Sequence, residues 1–195
     1  MAAKSASVEI EIKLSFASPT AARRALRQAG FHIEEKRGFE VNVLYDDAQG
    51  SIRSRGIGIR HRTWHGQHII TYKGPVEPLG KSQHKKRIEL ETVVPDPTPL
   101  IATWEAAGLL PSFRYEKYRT VFARPRERGR AMLDETPIGT YVELEGAESW
   151  IDRTARLLGK GPADYIQASY PALQAELCRK QGVTVCNLTF TARSK

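Results

Sequence analysis

Near its start the chain alternates strictly between aliphatic and ionised residues. In Val8-Glu9-Ile10-Glu11-Ile12-Lys13-Leu14 the aliphatic side chains take the even positions and the charges the odd ones. A period of two is that of a β-strand, and a strand sends alternate side chains to opposite faces. Three ionised groups therefore share one face. What that face looks onto decides what the chain can fold into.

The pattern recurs. Eight strands are predicted, at 8–14, 40–46, 57–64, 67–73, 87–94, 114–124, 130–134 and 140–146. Arg60 and Arg62 share one face of the third strand, and Lys73 follows Thr71 at the end of the fourth. Arg87, Glu89 and Glu91 share a face of the fifth, Lys117 and Arg119 of the sixth, and Glu143 and Glu145 of the last, while Asp134 sits on the seventh. On a solvated sheet face Thr, Ser and Gln would be common, and like charges two residues apart on one strand would be rare. Here Glu9/Glu11, Arg60/Arg62, Glu89/Glu91 and Glu143/Glu145 are all such pairs.

Helices are predicted after Ser18-Pro19, ending at Gly30, and after Thr98-Pro99, ending at Gly108. A third helical region over 149–181 is broken around Gly159–Pro162. Their apolar faces, such as Ala22, Leu26 and Ala29, need a sheet surface to cover. If they cover the aliphatic face, the charged face is left on the other side. A sheet of eight strands can close on itself, and the charged face then becomes a lumen. The seven acids and seven bases on it compensate one another, which lowers the desolvation cost of several kcal/mol that each isolated ion would carry. A ligand entering such a lumen has to be nearly neutral as a complex, as a triphosphate with two divalent cations is. Carboxylate oxygens suit hard cations, guanidinium and ammonium groups suit phosphate oxygens, and no Cys or His stands at zinc spacing. Phe39, Tyr45, Trp64 and Tyr72 are the aromatic residues available to stack on a base, although on strands they read as core.

The remaining features narrow the class. A faint repeat relates VEIEIKL and its helix to RIELETVV and the helix after Pro99, which points to two half-units in one sheet. One domain is expected over residues 1–181, with a tail over 182–195 that is either a short added strand or loose. The 195 residues carry a formal charge of +8, which attracts polyanions without naming one. Arg124–Arg130 reads as a solvated hairpin loop, and the segment 74–86 as a long loop able to act as a flap. At the end of that loop the run His84-Lys85-Lys86-Arg87 reads as a solvated charge cluster, with contact to phosphate as the alternative. No apolar run reaches the length of a membrane span, and MAAKSAS lacks the apolar stretch of a secretory leader. A cytoplasmic protein with Cys178 and Cys186 as free thiols is expected.

Glu9-Ile10-Glu11-Ile12-Lys13 also resembles the ExExK signature of the CYTH superfamily, the triphosphate tunnel metalloenzymes. The charged residues from Arg60 to Glu145 fall in that family's order. The resemblance implies a mainly β, α+β fold: an eight-stranded antiparallel closed barrel with helices packed outside. It implies an enzyme that hydrolyses or cyclises a triphosphate-bearing small molecule with Mg2+ or Mn2+, two per site. By the resemblance Glu9, Glu11, Glu89, Glu91, Asp134, Glu143 and Glu145 are candidate metal ligands. Lys13, Arg60, Arg62, Lys73, Arg87, Lys117 and Arg119 are candidates for binding the triphosphate, and Lys73, Glu91 and Asp134 for the catalytic step. Inorganic tripolyphosphate is the favoured substrate, because no base-binding site is recognisable. Class IV adenylate cyclase and thiamine or nucleoside triphosphatase are the enzymic alternatives. A passive polyphosphate- or RNA-binding barrel is the non-enzymic one; paired glutamates repel phosphate and argue against it, and a nucleic-acid partner is not expected. The sequence is compatible with a monomer or a homodimer.

Overall fold

The structure is a computed structural model and describes residues 7–76 and 83–190. Eight antiparallel strands close into a barrel: β1 (Ser7–Phe16), β2 (His32–Asp46), β3 (Gly58–Trp64), β4 (Gln67–Val76), β5 (Lys85–Val94), β6 (Leu110–Ala123), β7 (Arg130–Thr136) and β8 (Gly139–Glu145). Around the barrel the order is β1-β5-β4-β3-β2-β6-β7-β8. The charged face is the inside, as the alternation required. Ile12 and Leu14 are buried on the outer face of β1, whereas Glu11 and Lys13 are buried on the inner one.

Five α-helices join the described strands: α1 (Pro19–Gln28), α2 (Ser51–Ser54), α3 (Thr98–Ala106), α4 (Glu148–Leu157) and α5 (Tyr170–Gln181), with a 3-10 turn at Pro162–Asp164. The Ser18 side chain accepts a hydrogen bond from the Ala21 N–H at the start of α1, and Pro19 fills the first helical position. Ala22 and Leu26 lie four residues apart and are fully buried. With Trp150 and Ile151 of α4 they complete the main core against Ile12, Leu14, Phe122, Leu133, Val142 and Leu144. Burying each large aliphatic side chain there contributes about 1.5–3 kcal/mol. The core is thus a layer between helices and barrel, and the lumen has none.

Several predicted boundaries shift. Both β2 and β6 begin well before the predicted starts at 40 and 114 and form the longest ladder, and β5 starts at Lys85. The loop predicted over 74–86 is shorter, because β4 runs to Val76; residues 77–82, the heart of the expected flap, lie outside the described residues. The reading of His84-Lys85-Lys86 as a solvated cluster is overturned. Lys85 is buried inside the barrel, and buried His84 stands 2.8 Å from the Asp152 carboxylate on α4. Lys86 points outward and pairs with Glu148. The tail is neither a full strand nor loose as far as it is described: Leu188 forms a parallel bridge to Tyr115 and is buried beside Tyr170.

Candidate active site

A cavity of about 420 Å³ occupies the lumen, within the range of small-ligand sites. It is lined by Glu9, Glu11, Lys13, Arg60, Arg62, Lys73, Arg87, Glu89, Glu91, Lys117, Arg119, Glu143 and Glu145. Thirteen of the fourteen residues singled out from the sequence therefore reach it. The fourteenth, Asp134, is an exception with a physical reason. It is fully buried behind the lining, and its oxygens accept four hydrogen bonds: from Lys117 (2.9 Å), twice from Arg119 (2.7 and 2.6 Å) and from the Tyr170 hydroxyl (2.6 Å). Those bonds aim the two cations at the cavity and leave Asp134 no open side toward a ligand.

From Asp134 a network runs along β6, β8 and β1. Arg119 also donates to Glu143, Lys13 stands 3.2 Å from Glu143 and 3.8 Å from Glu11, and Lys85 donates to Glu11. Burial opposes ionisation of Glu11, yet Lys13 and Lys85 outweigh it and hold its carboxyl well below the usual range. Glu143 is held down in the same way by Lys13, Arg119 and Lys117. Lys13 is pushed up despite burial, chiefly by Glu11 and Glu143. The lysine ammonium groups of Lys13 and Lys117 lie 5.2 and 4.9 Å from the centre of the Tyr170 ring, so α5 plugs this side of the lumen with an aromatic face.

The opposite side is less complete. One oxygen of Glu91 accepts from Thr71 (2.9 Å), Arg60 (3.2 Å) and Arg62 (3.4 Å). Burial raises the Glu91 pKa, but Arg62 and Arg60 overcome it and keep the group ionised. The Nε atoms of Arg60, Arg62 and Arg87 are buried with no hydrogen-bond partner among the described residues. Near them carboxylates crowd. Lys73 contacts both Glu9 (3.2 Å) and Glu89. Glu89 is pushed up to about 8 by burial, by its hydrogen bond to Glu9 and by the Glu9 charge. Glu145 is pushed up to about 7 by burial and by the charges of Glu9 and Glu11. The lumen thus holds both unsatisfied donors and uncompensated carboxylates.

That donor set suits a hard divalent cation: every candidate ligand is a carboxylate oxygen, and the like-charge crowding at Glu9, Glu11, Glu89 and Glu145 is what a cation relieves. Among the described residues no three His, Cys, Asp or Glu side chains converge as a ready metal cage. Mg2+ does not ask for one, since it is usually held by one or two carboxylates with phosphate oxygens and water completing its shell.

Sequence reasoning missed four residues here. Glu40 and Asn42 lie fully buried on the inner face of β2, with Asn42 donating to Glu40 (2.9 Å) and Lys117 at 3.4 Å. The alternation Phe39-Glu40-Val41-Asn42-Val43 carried that signal. Lys85 extends the inward series of β5. Tyr170 comes from a helix remote in sequence, and no local pattern marks it. The four aromatic residues considered for base stacking do not line the cavity; Tyr45 instead packs on Trp104, and Phe39 and Tyr72 are exposed.

With barrel, inward charges and paired carboxylates in place, the CYTH domain model matches residues 7–170. The chain belongs to the CYTH family. A candidate adenylate cyclase of Methanocaldococcus jannaschii is 24% identical over 153 residues, 77% of this chain and 83% of that protein. Among solved structures, a candidate adenylate cyclase of Vibrio parahaemolyticus superimposes with a TM-score of 0.66 at 18% identity, covering 83% of this chain and 94% of that one. A candidate adenylyl cyclase of Hippeastrum, described as having a dominant triphosphatase activity, gives 0.60 at 18% identity, covering 90% and 97%. At such identities these structures bear on the fold, and the chemistry has to be argued from the lumen.

Proposed function

We propose that this CYTH protein hydrolyses a terminal phosphoanhydride of a triphosphate, with inorganic tripolyphosphate as substrate. The observation that carries the reading is the coexistence in one lumen of unpartnered inward guanidinium donors and crowded carboxylates. A polyanion alone would be repelled by the second, and a cation alone by the first.

In this reading Arg60, Arg62 and Arg87 take phosphate oxygens through their unsatisfied N–H groups, and Lys13, Lys117 and Arg119 bind from the opposite side. Asp134 acts as a positioning residue, since it fixes Lys117 and Arg119 without reaching the cavity. Glu9, Glu11, Glu89, Glu143 and Glu145 would hold Mg2+ or Mn2+, which when bound neutralises phosphate charge and assists ionisation of water. Glu91 orients Arg60 and Arg62, and its low pKa makes it a poor proton acceptor. Lys73 stabilises charge that develops on the transferred phosphoryl group. Water attacks the terminal phosphorus, the bridging P–O bond breaks, and orthophosphate and pyrophosphate leave.

Cyclisation of ATP is the second reading, favoured by the name of the M. jannaschii relative. It requires a seat for adenine. The lining aromatics are both engaged, Tyr115 through its hydroxyl with Arg60 (3.4 Å) and Tyr170 through its face with two lysines.

The test is orthophosphate and pyrophosphate release from tripolyphosphate, ATP and thiamine triphosphate, each with Mg2+, Mn2+ or chelator. Metal-dependent orthophosphate from tripolyphosphate, abolished in a folded Glu11→Gln variant, is expected. Pyrophosphate and a cyclic nucleotide from ATP alone would replace this reading with cyclisation, and no turnover anywhere would end it.

A further inference from the structure

The lumen accounts for none of the net charge. Adding Glu40 and Lys85 to the set gives eight acids and eight bases, so the whole +8 of the chain lies outside it. The outer excess is concentrated. The described residues outside the lumen comprise eighteen basic and thirteen acidic side chains. The segments 19–28, 124–130 and 148–157 alone hold nine arginines against Glu127, Glu148 and Asp152. These three segments adjoin. Arg124 lies over the Phe31 ring at 5.6 Å, just beyond α1, and Phe31 meets Trp150 of α4 edge-on.

The β6–β7 turn between them is built as a rigid mount. The Trp150 indole N–H donates to Glu127 (2.6 Å), and Arg124 and Arg153 converge on the same carboxylate at 3.6 and 3.9 Å. Gly129 lets the indole lie flat against the turn, where a Cβ would fall 2.3 Å from the ring. Held by these contacts, Arg126 adopts φ +63°, a left-handed conformation that glycine or asparagine takes at lower cost. Strain of that kind persists where the surroundings impose it. Arg24, Arg27, Arg126 and Arg128 are exposed, and none has a carboxylate within ion-pair distance among the described residues.

We propose that this arginine face binds a nucleic-acid strand through its phosphates, independently of the lumen and of what the lumen turns over. The donors are all arginine, whose forked N–H groups match phosphate oxygens. They sit on two separate elements, α1 and the β6–β7 turn, that a flexible strand can follow. A membrane surface would be met with apolar side chains as well as charge, and Leu157 is the one large aliphatic residue exposed on these segments.

The probe is a fluorescein-labelled 20-nucleotide oligouridine with a 5′-hydroxyl, which carries no triphosphate to enter the lumen. Anisotropy titrations of the full chain at 50 to 200 mM salt should show binding whose log–log salt slope is about −3, as expected for about four phosphate contacts on a single strand. The combined variant Arg24→Gln, Arg27→Gln, Arg126→Gln, Arg128→Gln should lose at least tenfold in affinity and keep the parent's phosphohydrolase rate. Arg126→Gly should weaken binding while keeping or raising the melting temperature, which separates loss of contact from loss of fold. The proposal fails if oligouridine does not bind at 50 mM salt or if the combined variant binds unchanged. It fails equally if polyphosphate or phosphatidylserine vesicles are bound and the oligonucleotide is not.

Discussion

The two sides of the barrel solve the same problem differently. On β6, β7, β8 and β1 the inward charges other than Glu9 and Glu145 form a closed network centred on Asp134, and α1 and α4 seal the outside with the main core. On β3, β4 and β5 the inward charges are left with spare donors, and outward Tyr72, Ile88 and Leu90 remain 37%, 48% and 43% exposed. The helix that the repeat would place over this second half, α3, has no buried residue and no side chain capping it at Pro97, whereas its counterpart α1 has both. Covering and pairing go together. The sealed wall can hold buried ions because its core fixes their geometry. The open wall keeps spare donors because nothing among the described residues satisfies them.

The contrast breaks most directly at Asp134. Asp134→Ala leaves Lys117, Arg119 and Tyr170 facing one another in a buried site, and breaking a buried pair costs about 3–5 kcal/mol. Urea unfolding should show that loss. A cost below about 1 kcal/mol would mean the sealed network is not what holds this wall together.

Acid should act where Glu40 of β2 meets this network, through Lys117 at 3.4 Å and Arg119 at 3.8 Å. Burial opposes ionisation of Glu40, but Lys117, Arg119, Arg62 and Arg60 hold its pKa at about 2 against an ordinary 4.5. A depressed carboxylate stabilises the fold fully above pH 4.5, and that contribution of roughly 3 kcal/mol disappears as pH falls toward 2. Glu89 on β5 and Glu145 at the end of β8 carry the opposite sign: their raised values of about 8 and 7 mean stability lost as pH rises from 4.5 through neutrality. Unfolding free energy of the metal-free protein should therefore peak near about pH 4.5 and decline toward neutrality. Glu40→Gln should flatten the acid limb, and an unchanged acid limb in that variant would refute the assignment.

On the open wall the loss should be functional. Arg62→Gln removes a donor that points into the cavity, and kcat/KM on tripolyphosphate should drop about 10²-fold, the usual consequence of losing one preorganised donor to a transferring group. Its melting temperature should stay near the parent's, because Glu91 retains Arg60 and Thr71. Equal losses of stability and turnover would put Arg62 in the structural network after all.

How much of this was legible in the chain follows from the period of each signal. Inward and outward faces were readable wherever alternation ran for four residues or more, which is why VEIEIKL, RIELE and YVELE placed their charges correctly. Glu40 and Asn42 alternate equally well but are of unlike chemistry, so the pattern of paired like charges passed over them. Lys85 was lost with the start of β5, read two residues late. Helix α2 spans four residues and has no period to detect; the Asp46 and Asp47 carboxylates that cap it, accepting from the N–H groups of Ile52 and Ser51 at 2.9 and 2.8 Å, act across a turn. The uneven cover of the outer face was invisible too, because aliphatic residues look the same in sequence whether a helix lies over them or not.

That last point yields the prediction with the smallest single effect, at Leu90. Leu133 and Leu90 are both outward-facing leucines on the barrel, one fully buried under the sealed side and the other 43% exposed on the open one. Leu133→Ala should cost roughly 2–5 kcal/mol, the transfer term plus a cavity, whereas Leu90→Ala should stay within about 0.5 kcal/mol as other exposed positions do. The difference is set by what lies above each side chain and not by the strand that carries it. A Leu90→Ala cost comparable to that of Leu133→Ala would mean that the open face is covered in solution, and that the two walls are alike on the outside however much they differ within.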